Sequence, residues 1–165
     1  MQKFIDKIKI VSEKIYDEIG CINETLLQTA LSIELDKLKI PHLRETSIQI
    51  YYDGHPLGFL ELDFVVSPHE DLKEHLIIEM KLASKIDDTS RQQLKTQLRS
   101  APLNNHEIIK KITQGMLINF KKSEKYKDGV NEIPEEKFDI EVWEYKKNKF
   151  KLKWEIQIGI MKNWY

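Results

Sequence analysis

Two apolar segments that carry charges in their interiors constrain this chain most. Residues 61–66 and 76–82 have the apolar composition of buried β-strands. Asp63 lies inside the first segment, and Glu79 and Lys81 lie inside the second. Because successive side chains of a strand point to opposite faces, Glu79 and Lys81 should share one face. An unpaired charge in an apolar strand costs free energy, so these groups are expected to pair with one another or with a cation.

Two carboxylates and a lysine on adjacent strands have two interpretations. In the first, the carboxylates bind a hard cation such as Mg²⁺, which lowers the pKa of a bound water, and Lys81 stabilises the negative charge of the transition state. That arrangement suits metal-assisted hydrolysis. In the second, Asp63 and Lys81 form a buried salt bridge and Glu79 is solvated at an edge. The spacing of the three residues fits both interpretations.

Two amphipathic helices are predicted before these strands. Apolar residues recur at helical spacing over residues 3–19 and again over residues 22–39, with Gly20 between them. Extending the apolar stripe of the second helix back from Leu27 places Glu24 at its inward-facing start. An acid in the first turn of a helix complements the helix dipole, and an acid at this place could equally add a metal ligand.

The middle segments alternate between strand and helix patterns. Asp53 and Gly54 predict a tight turn that joins two strands into a hairpin. Asp87, Asp88, Thr89 and Ser90 offer several N-caps for a third helix that ends near residue 100, and Ser90 with Gln93 could form a capping box there. The other predicted elements are strands at 47–52, 57–66, 75–83 and 116–120, and a short helix within 104–114. This order predicts a mixed central β-sheet flanked by helices, in the α/β or α+β class.

The C-terminal part carries many charges. Residues 121–134 are predicted to form a solvated and mobile connection, and residues 138–158 alternate like the strands of a hairpin that turns within 146–149. One register of that hairpin sets Glu141 across from Lys153, a favourable pair. The hairpin is interpreted as an added structural element, a homodimer contact or a nucleic-acid-binding surface. Binding would use the lysines around its turn, Lys147, Lys149 and Lys151.

Length and charge limit the class of protein. A chain of 165 residues, 41% of them hydrophobic, is expected to form one domain, 1–165, with a sizeable core. The net charge of −1 gives no overall attraction to nucleic acid or membrane. The single cysteine, Cys21, excludes an internal disulfide framework and a cysteine-based zinc site. No apolar run reaches the roughly 18 residues of a membrane span, so an intracellular soluble protein, cytoplasmic or nuclear, is expected.

Six sequence segments occur in the same order as the motifs of one known enzyme family. They are Ile15-Tyr16-Asp17-Glu18-Ile19-Gly20, Glu24-x-x-Leu27-x-x-Ala30-Leu31, Tyr51-Tyr52-Asp53-Gly54 leading to Gly58-x-x-x-x-Asp63, Ile78-Glu79-Met80-Lys81, Gln93-Leu94-x-x-Gln97-Leu98, and Gly115-Met116-Leu117-Ile118-Asn119-Phe120. Together they resemble the PD-(D/E)XK nuclease superfamily and, within it, the GxxExxY branch. The similarity covers roughly residues 15–120. It implies a restriction-endonuclease-like core with a C-terminal β-hairpin added at about 136–160.

The resemblance also implies an activity and a set of site residues. The family hydrolyses phosphodiester bonds with a divalent metal, here Mg²⁺, for which Mn²⁺ would substitute. The residues that the resemblance assigns to metal binding are Asp63, Glu79, the carbonyl of Met80, and Glu24. The catalytic set that it implies is Glu24, Asp63, Glu79, Lys81 and Gln93. Within this set, Lys81 would position the attacking water. Gln93 keeps its second interpretation as part of a capping box.

The chain departs from the branch at three packing positions. Cys21 stands where the branch has its first glycine, Leu27 replaces the tyrosine, and Gln97 replaces an aromatic residue. The resulting hypothesis is a Mg²⁺-dependent nuclease that acts on DNA through a metal-activated water. The alternative is a nucleic-acid- or protein-binding module that keeps the fold without turnover. The near-neutral charge favours this alternative, because phosphate contacts normally need clustered Lys and Arg.

Overall fold

The computed structural model describes residues 1–122, 126–127, 130–131 and 136–156. The helices are α1 (Gln2–Ile19), α2 (Glu24–Lys37) and α3 (Asp88–Ser100), with 3₁₀ turns at Ala101–Leu103 and Ile109–Lys111. The strands are β1 (His42–Tyr52), β2 (His55–Val66), β3 (Leu76–Ala83), β4 (Gln114–Lys121), β5 (Tyr126–Lys127), β6 (Val130–Asn131), β7 (Phe138–Lys146) and β8 (Lys149–Ile156). No helix in these ranges is long and apolar enough to cross a membrane.

Six strands form one mixed sheet in the order β1-β2-β3-β4-β7-β8, and β5 pairs with β6 apart from it. Neighbouring strands of the large sheet are antiparallel, except that β3 and β4 are parallel. The connection between β3 and β4 contains α3, because parallel neighbours need a crossover rather than a tight turn. This mixed α/β architecture is consistent with a restriction-endonuclease-like fold and confirms the predicted fold class.

The core has two layers, one on each face of the sheet. α1 and α2 cover one face, where Phe4 and Leu31 belong to the same buried cluster as Ile78. α3 and the 3₁₀ turns cover the other face, where Leu94 belongs to the same cluster as Ile77. Consecutive residues of β3 thus enter opposite layers, which makes β3 a central strand covered on both faces.

The two helices that contribute residues to the site, α2 and α3, each begin at a residue whose side chain caps the first turn. α2 begins after Asn23, whose side chain accepts a hydrogen bond from Leu26 N at 2.8 Å. α3 begins after Asp87, whose Oδ1 accepts a hydrogen bond from Ser90 N at 2.7 Å. The predicted capping box is therefore wrong, because Ser90 lies inside the helix rather than at its cap. The side chain of Gln93 is left available for a different contact.

Gly115 in β4 allows α3 to pack closely on the sheet. A Cβ at Gly115 would lie 2.5 Å from Leu94 Cδ1, well inside van der Waals contact. Leu94 is completely buried, so its side chain has little room to move aside. The absence of a side chain at this position therefore brings α3 down onto the β3–β4 pair.

The β1–β2 hairpin leaves the sheet along most of its length. β1 pairs with β2 from end to end, but β2 pairs with β3 only over residues 64–66. Residues 46–62, which extend beyond that contact, are called the arm below. Residues three apart in a regular strand point to opposite faces. Leu62 and Val65 nevertheless both pack in the layer against α3, so the alternation of side-chain faces is interrupted between them. β2 thus separates from β3 at Asp63.

β7 and β8 form the predicted C-terminal hairpin and extend the sheet beyond β4. The predicted register is wrong, because Glu141 lies across from Glu155 rather than Lys153, and a β-bulge follows Val142. Arg91 of α3 binds Glu141 instead, with 2.6 Å between Nη2 and Oε1. Some residues of the predicted hairpin and of the predicted mobile connection lie outside the described residues, namely 157–158, 123–125, 128–129 and 132–135.

Two other predicted elements differ from the structure. The short helix expected within 104–114 is a single 3₁₀ turn, Ile109–Lys111, with Ile109 buried. The strand expected at 47–52 begins earlier, at His42, because residues 42–44 continue the ladder with the end of β2. Neither difference moves the residues predicted for the site.

Candidate active site

Asp63 lies where β2 separates from β3. The ladder between these strands ends at the pair of Phe64 and Ile78. One residue further along, Oδ2 of Asp63 accepts a hydrogen bond from the backbone N of Met80 at 2.7 Å. Glu45, at the same level of β1, has a φ of 51°, which is uncommon in a strand. The carboxylate of Asp63 thus accepts the hydrogen bond that a backbone carbonyl of a neighbouring strand would accept, and it is held where β2 and β3 separate.

Glu79 is buried beneath α3, with 1% of its surface exposed. Its Oε1 accepts a hydrogen bond from Gln97 Nε2 at 3.0 Å, and its Oε2 accepts one from Gln93 Nε2 at 2.9 Å. Each carboxylate oxygen has a second lone pair, so both remain able to bind a cation. The interpretation in which Glu79 is solvated at an edge is therefore wrong.

Lys81 and Glu24 lie beside this buried acid. Lys81 Nζ is 3.9 Å from Glu79 Oε2 and 3.9 Å from Glu24 Oε1. This contact confirms that Glu79 and Lys81 share one face of β3. Glu24 lies in the first turn of α2, and its side chain is 39% exposed, so it borders solvent. The ion pairs of Lys81 are with these two acids and not with Asp63, contrary to the salt-bridge interpretation.

All three carboxyl groups of the cluster resist ionisation. Burial and the nearby charge of Asp63 raise the pKa of Glu79 to about 7. Burial also raises the pKa of Asp63, although the hydrogen bond from Met80 N opposes the change. Burial likewise raises the pKa of Glu24. One lysine does not balance three acids in a partly buried space, so a bound cation would relieve the repulsion.

The donor set fits a hard divalent cation. Carboxylate oxygens are the ligands that Mg²⁺ and Mn²⁺ prefer, and Mg²⁺ commonly uses one or two carboxylates while keeping several waters. Asp63 and Glu79 meet that requirement. Within the described ranges, no three His, Cys, Asp or Glu residues are grouped so that they could hold a metal by themselves. Further ligands would therefore come from the backbone, water or substrate.

The family model described as the PD-(D/E)XK nuclease superfamily matches residues 2–133 of the 165 in the chain. The chain belongs to this nuclease superfamily. The match runs from α1 past β4 and includes the whole cluster described above. No curated protein and no solved structure matches the chain. Membership of the superfamily implies hydrolase activity and a nucleic-acid substrate.

Two further glutamines contact the cluster of this PD-(D/E)XK superfamily member, and sequence reasoning missed both. Gln28 of α2 lies near Asp63 and lowers the pKa of its carboxyl, and Gln97 of α3, interpreted from sequence as a packing position, donates a hydrogen bond to Glu79. Gln28 follows Glu24 by four residues, and Gln97 follows Gln93 by four. Residues four apart lie on the same face of a helix, and this spacing was the signal that could have found them.

The lysines around the β7–β8 turn do not lie at the cluster. Lys146, at that turn, binds Glu74 just before β3 begins, whereas Lys81 lies near the end of β3. Glu74 and Glu79 are five residues apart, which corresponds to roughly 17 Å of extended chain. The residues predicted to bind nucleic acid are exposed beside the turn, namely Lys147, Lys149 and Lys151. Their binding role stays a prediction, for a surface separate from the cluster.

Proposed function

We propose that the chain is a Mg²⁺-dependent nuclease of the GxxExxY branch that hydrolyses phosphodiester bonds of DNA. The observation that carries the proposal is the convergence of Asp63, Glu79 and Lys81 where β2 and β3 separate. In a member of a nuclease superfamily, two acids and a lysine at one point have the composition that phosphodiester hydrolysis requires. Mn²⁺ would substitute for Mg²⁺, because it accepts the same oxygen ligands.

Asp63 and Glu79 would hold the metal, with the Met80 carbonyl as a further ligand. Glu24 would act through a bound water, because no three acids of the described residues are grouped closely enough to hold the ion together. When bound, the ion would supply an acidified water and a positive charge beside the phosphorus. The two α3 amides keep Glu79 in one orientation, because each of its oxygens accepts one N–H. Met80 would contribute only its backbone, since its side chain is buried in the layer against α1 and α2.

Lys81 would position the attacking water and stabilise negative charge on the phosphate. The carboxylates of Glu24 and Glu79 hold its ammonium group between them, 3.9 Å from each. An ammonium group can donate to the water or to a non-bridging phosphate oxygen. In the reaction, the water oxygen would bond to phosphorus, one ester P–O bond would break, and the leaving oxygen would take up a proton.

A homodimer through the C-terminal hairpin is part of the same proposal. β8 is an edge strand of the described sheet, and edge strands present unpaired backbone groups to another chain. Sedimentation of the purified protein checks this part, because a monomer at all concentrations contradicts it.

Cleavage assays test the nuclease proposal. Purified protein is incubated with plasmid, linear and single-stranded DNA in Mg²⁺, Mn²⁺ or EDTA. We expect cleavage that needs the metal and that Lys81→Ala lowers by roughly 100-fold or more, because the ammonium group stabilises the transition state. Lys73→Ala, which removes an exposed lysine outside the cluster, should leave cleavage unchanged. Wild-type cleavage no greater than that of Lys81→Ala contradicts the proposal.

Calorimetry with Mn²⁺ separates this function from a binding module without turnover. Metal binding that Asp63→Asn or Glu79→Gln abolishes agrees with the nuclease. DNA binding in a protein that takes up no Mn²⁺ and cleaves nothing is the result expected of the module.

A further inference from the structure

The arm exposes large apolar side chains beside the candidate active site. Phe59 is 68% exposed, Leu57 is 67% exposed and Tyr52 is 73% exposed. Single exposed apolar residues are ordinary on a protein surface, and three large ones on one short hairpin are more than that. Of the three, Phe59 lies nearest to Asp63 along β2.

Phe59 shares a face of the arm with polar side chains, and Asp63 follows the arm on the same strand. Phe59 lies directly across from Gln49, and the hydroxyl of Tyr51 donates to Gln49 Oε1 at 2.9 Å, so these three side chains lie together. Along β2, Phe59 and Glu61 alternate with Leu62, which is buried on the side of α3. Four residues of strand, roughly 14 Å, separate Phe59 from Asp63. Phe59 therefore lies within a few residues of the candidate active site along the same strand.

The charge of this face indicates what it can bind. Its residues are Ser47, Gln49, Tyr51, Phe59 and Glu61, and none of them is Lys or Arg. A DNA duplex presents its phosphates outward, so a protein that follows a duplex needs cations along its path. Unpaired bases present flat π-faces, which stack on aromatic side chains whatever their sequence. Phe59 between neutral polar groups therefore suits bases, and Glu61 disfavours phosphates.

The backbone edge of the arm is closed to strand pairing at the same level. The side chain of Asn104 accepts from Gln49 N at 3.0 Å and donates to Gln49 O at 2.9 Å. Ser100 Oγ accepts from Tyr51 N at 3.1 Å. Because these outward backbone groups are already bonded, a second copy of the chain cannot add a strand there. The arm thus offers its face, and not its edge, to a partner.

We propose that the arm stacks the unpaired bases of a single-stranded segment of the substrate, with Phe59 as the platform. The substrates favoured by this nuclease would then be single-stranded DNA or duplexes that carry an unpaired segment next to the scissile bond. The inference rests on the proposed function for the position of that bond, whereas the stacking is a binding property that can be measured without cleavage.

Fluorescence anisotropy in Ca²⁺ tests the stacking, and cleavage of the same probes is measured in parallel samples that contain Mg²⁺. The probes are a short single-stranded oligonucleotide that contains 2-aminopurine and a blunt duplex of the same sequence. We expect the single strand to bind more tightly than the duplex and its 2-aminopurine to be quenched. Phe59→Ala should weaken single-strand binding roughly tenfold, Phe59→Leu should not rescue it, and Phe59→Trp should restore it. Ile10→Ala, which removes an apolar side chain of α1 that is also 68% exposed, is the matched control.

Other outcomes overturn the inference. Equal affinity of wild type and Phe59→Ala for the single strand removes the platform. If the wild type is a dimer in sedimentation, and Phe59→Ala is a monomer that still binds the single strand as tightly, the face would be assigned to a second copy of the chain. If no sample cleaves DNA but Phe59→Ala still loses single-strand binding, the nuclease proposal fails and the stacking stands. If the wild type cleaves DNA and Phe59→Ala binds the single strand equally well, only the stacking fails.

Discussion

Glu79 is oriented by two neutral amides rather than by a counter-ion in direct contact. The amides of Gln93 and Gln97 donate to its two oxygens, whereas Lys81 Nζ stays 3.9 Å away. The hydrogen bonds fix the direction of the carboxylate without neutralising it. Gln97 Oε1 is buried and has no hydrogen-bond partner within the described part of the chain, which costs free energy. Such local conflicts are expected where a side chain serves a site rather than the core.

The stability of the metal-free protein should depend on pH through Glu79. Burial raises the pKa of its carboxyl from 4.5 to about 7 in the folded state, so the folded state binds this proton more tightly than the unfolded state. The stabilisation is therefore complete below the unfolded value and is lost as the pH rises through about 7. We expect the wild type to lose on the order of 3 kcal/mol between pH 5 and pH 8, relative to Glu79→Gln, which cannot ionise.

Urea unfolding in EDTA at several pH values measures this difference. The variant should be accommodated, because rotation of the Gln97 amide would let its unpartnered Oε1 accept from the new amide. The raised pKa values of Asp63 and Glu24 act in the same direction in both proteins and largely cancel in the comparison. Parallel stability curves for wild type and Glu79→Gln would show that Glu79 ionises normally in the folded protein.

The charged residues of the candidate site were predictable because they break the pattern of their strands. Asp63, Glu79 and Lys81 are charges within apolar runs, and a one-dimensional pattern reveals such misfits. Gln97 breaks no pattern, because an uncharged polar residue on a polar helix carries no penalty in sequence. Its role depends on α3 lying close to β3, and that distance is set by the contact between Leu94 and Gly115.

At the scale of elements, α3 delivers both amides that orient the buried acid. Gln97→Leu removes one hydrogen bond to Glu79 and replaces the glutamine with a buried apolar side chain of similar size. If the nuclease proposal holds, we expect cleavage to fall roughly 10- to 100-fold and to need more Mg²⁺, because partners of a ligand tune metal affinity. The Mg²⁺ concentration at half-maximal cleavage measures the effect.

The matched control is Gln92→Leu, which changes an exposed glutamine on the same helix. It should leave the Mg²⁺ midpoint where it is in the wild type. A purely structural role of Gln97 would instead lower the urea midpoint of unfolding and leave the Mg²⁺ midpoint unshifted, and excess Mn²⁺ would not restore the rate.

Elements with local signals were predicted and elements with distant partners were not. The turn at Asp53 and Gly54 has positive φ at both residues, 49° and 75°, as that dipeptide predicts. The β7–β8 register failed because the turn pairs Lys146 with Lys149, which sets Glu141 opposite Trp154, and the bulge after Val142 then shifts Glu141 by one more residue, to Glu155. Glu141 takes its cation from Arg91, 50 positions earlier in the chain, and no cross-strand rule contains that contact.

At the scale of the whole molecule, the core extends beyond the family match. The match ends at residue 133, whereas β7 begins at Phe138 and pairs with β4 from Gln114 to Phe120. Ile140 and Val142 of β7 are completely buried in the layer against α1 and α2. Burying two such side chains contributes about 3–6 kcal/mol, a large share of the stability of a domain. The hairpin therefore contributes to the core, and the single domain stays a prediction.

Truncation tests that prediction. A chain of residues 1–133 should lose cooperative unfolding or aggregate, because the edge of β4 and the apolar layer beneath β7 become exposed. A chain of residues 1–156 keeps every pairing described for β7 and β8 and should unfold near the urea midpoint of the full chain. Loss of β7 also removes Glu141, the partner of Arg91, so α3 and the amides that orient Glu79 should loosen as well. Equal urea midpoints for 1–133 and 1–156 would make the hairpin an appendage and confine the domain to the segment that the family model matches.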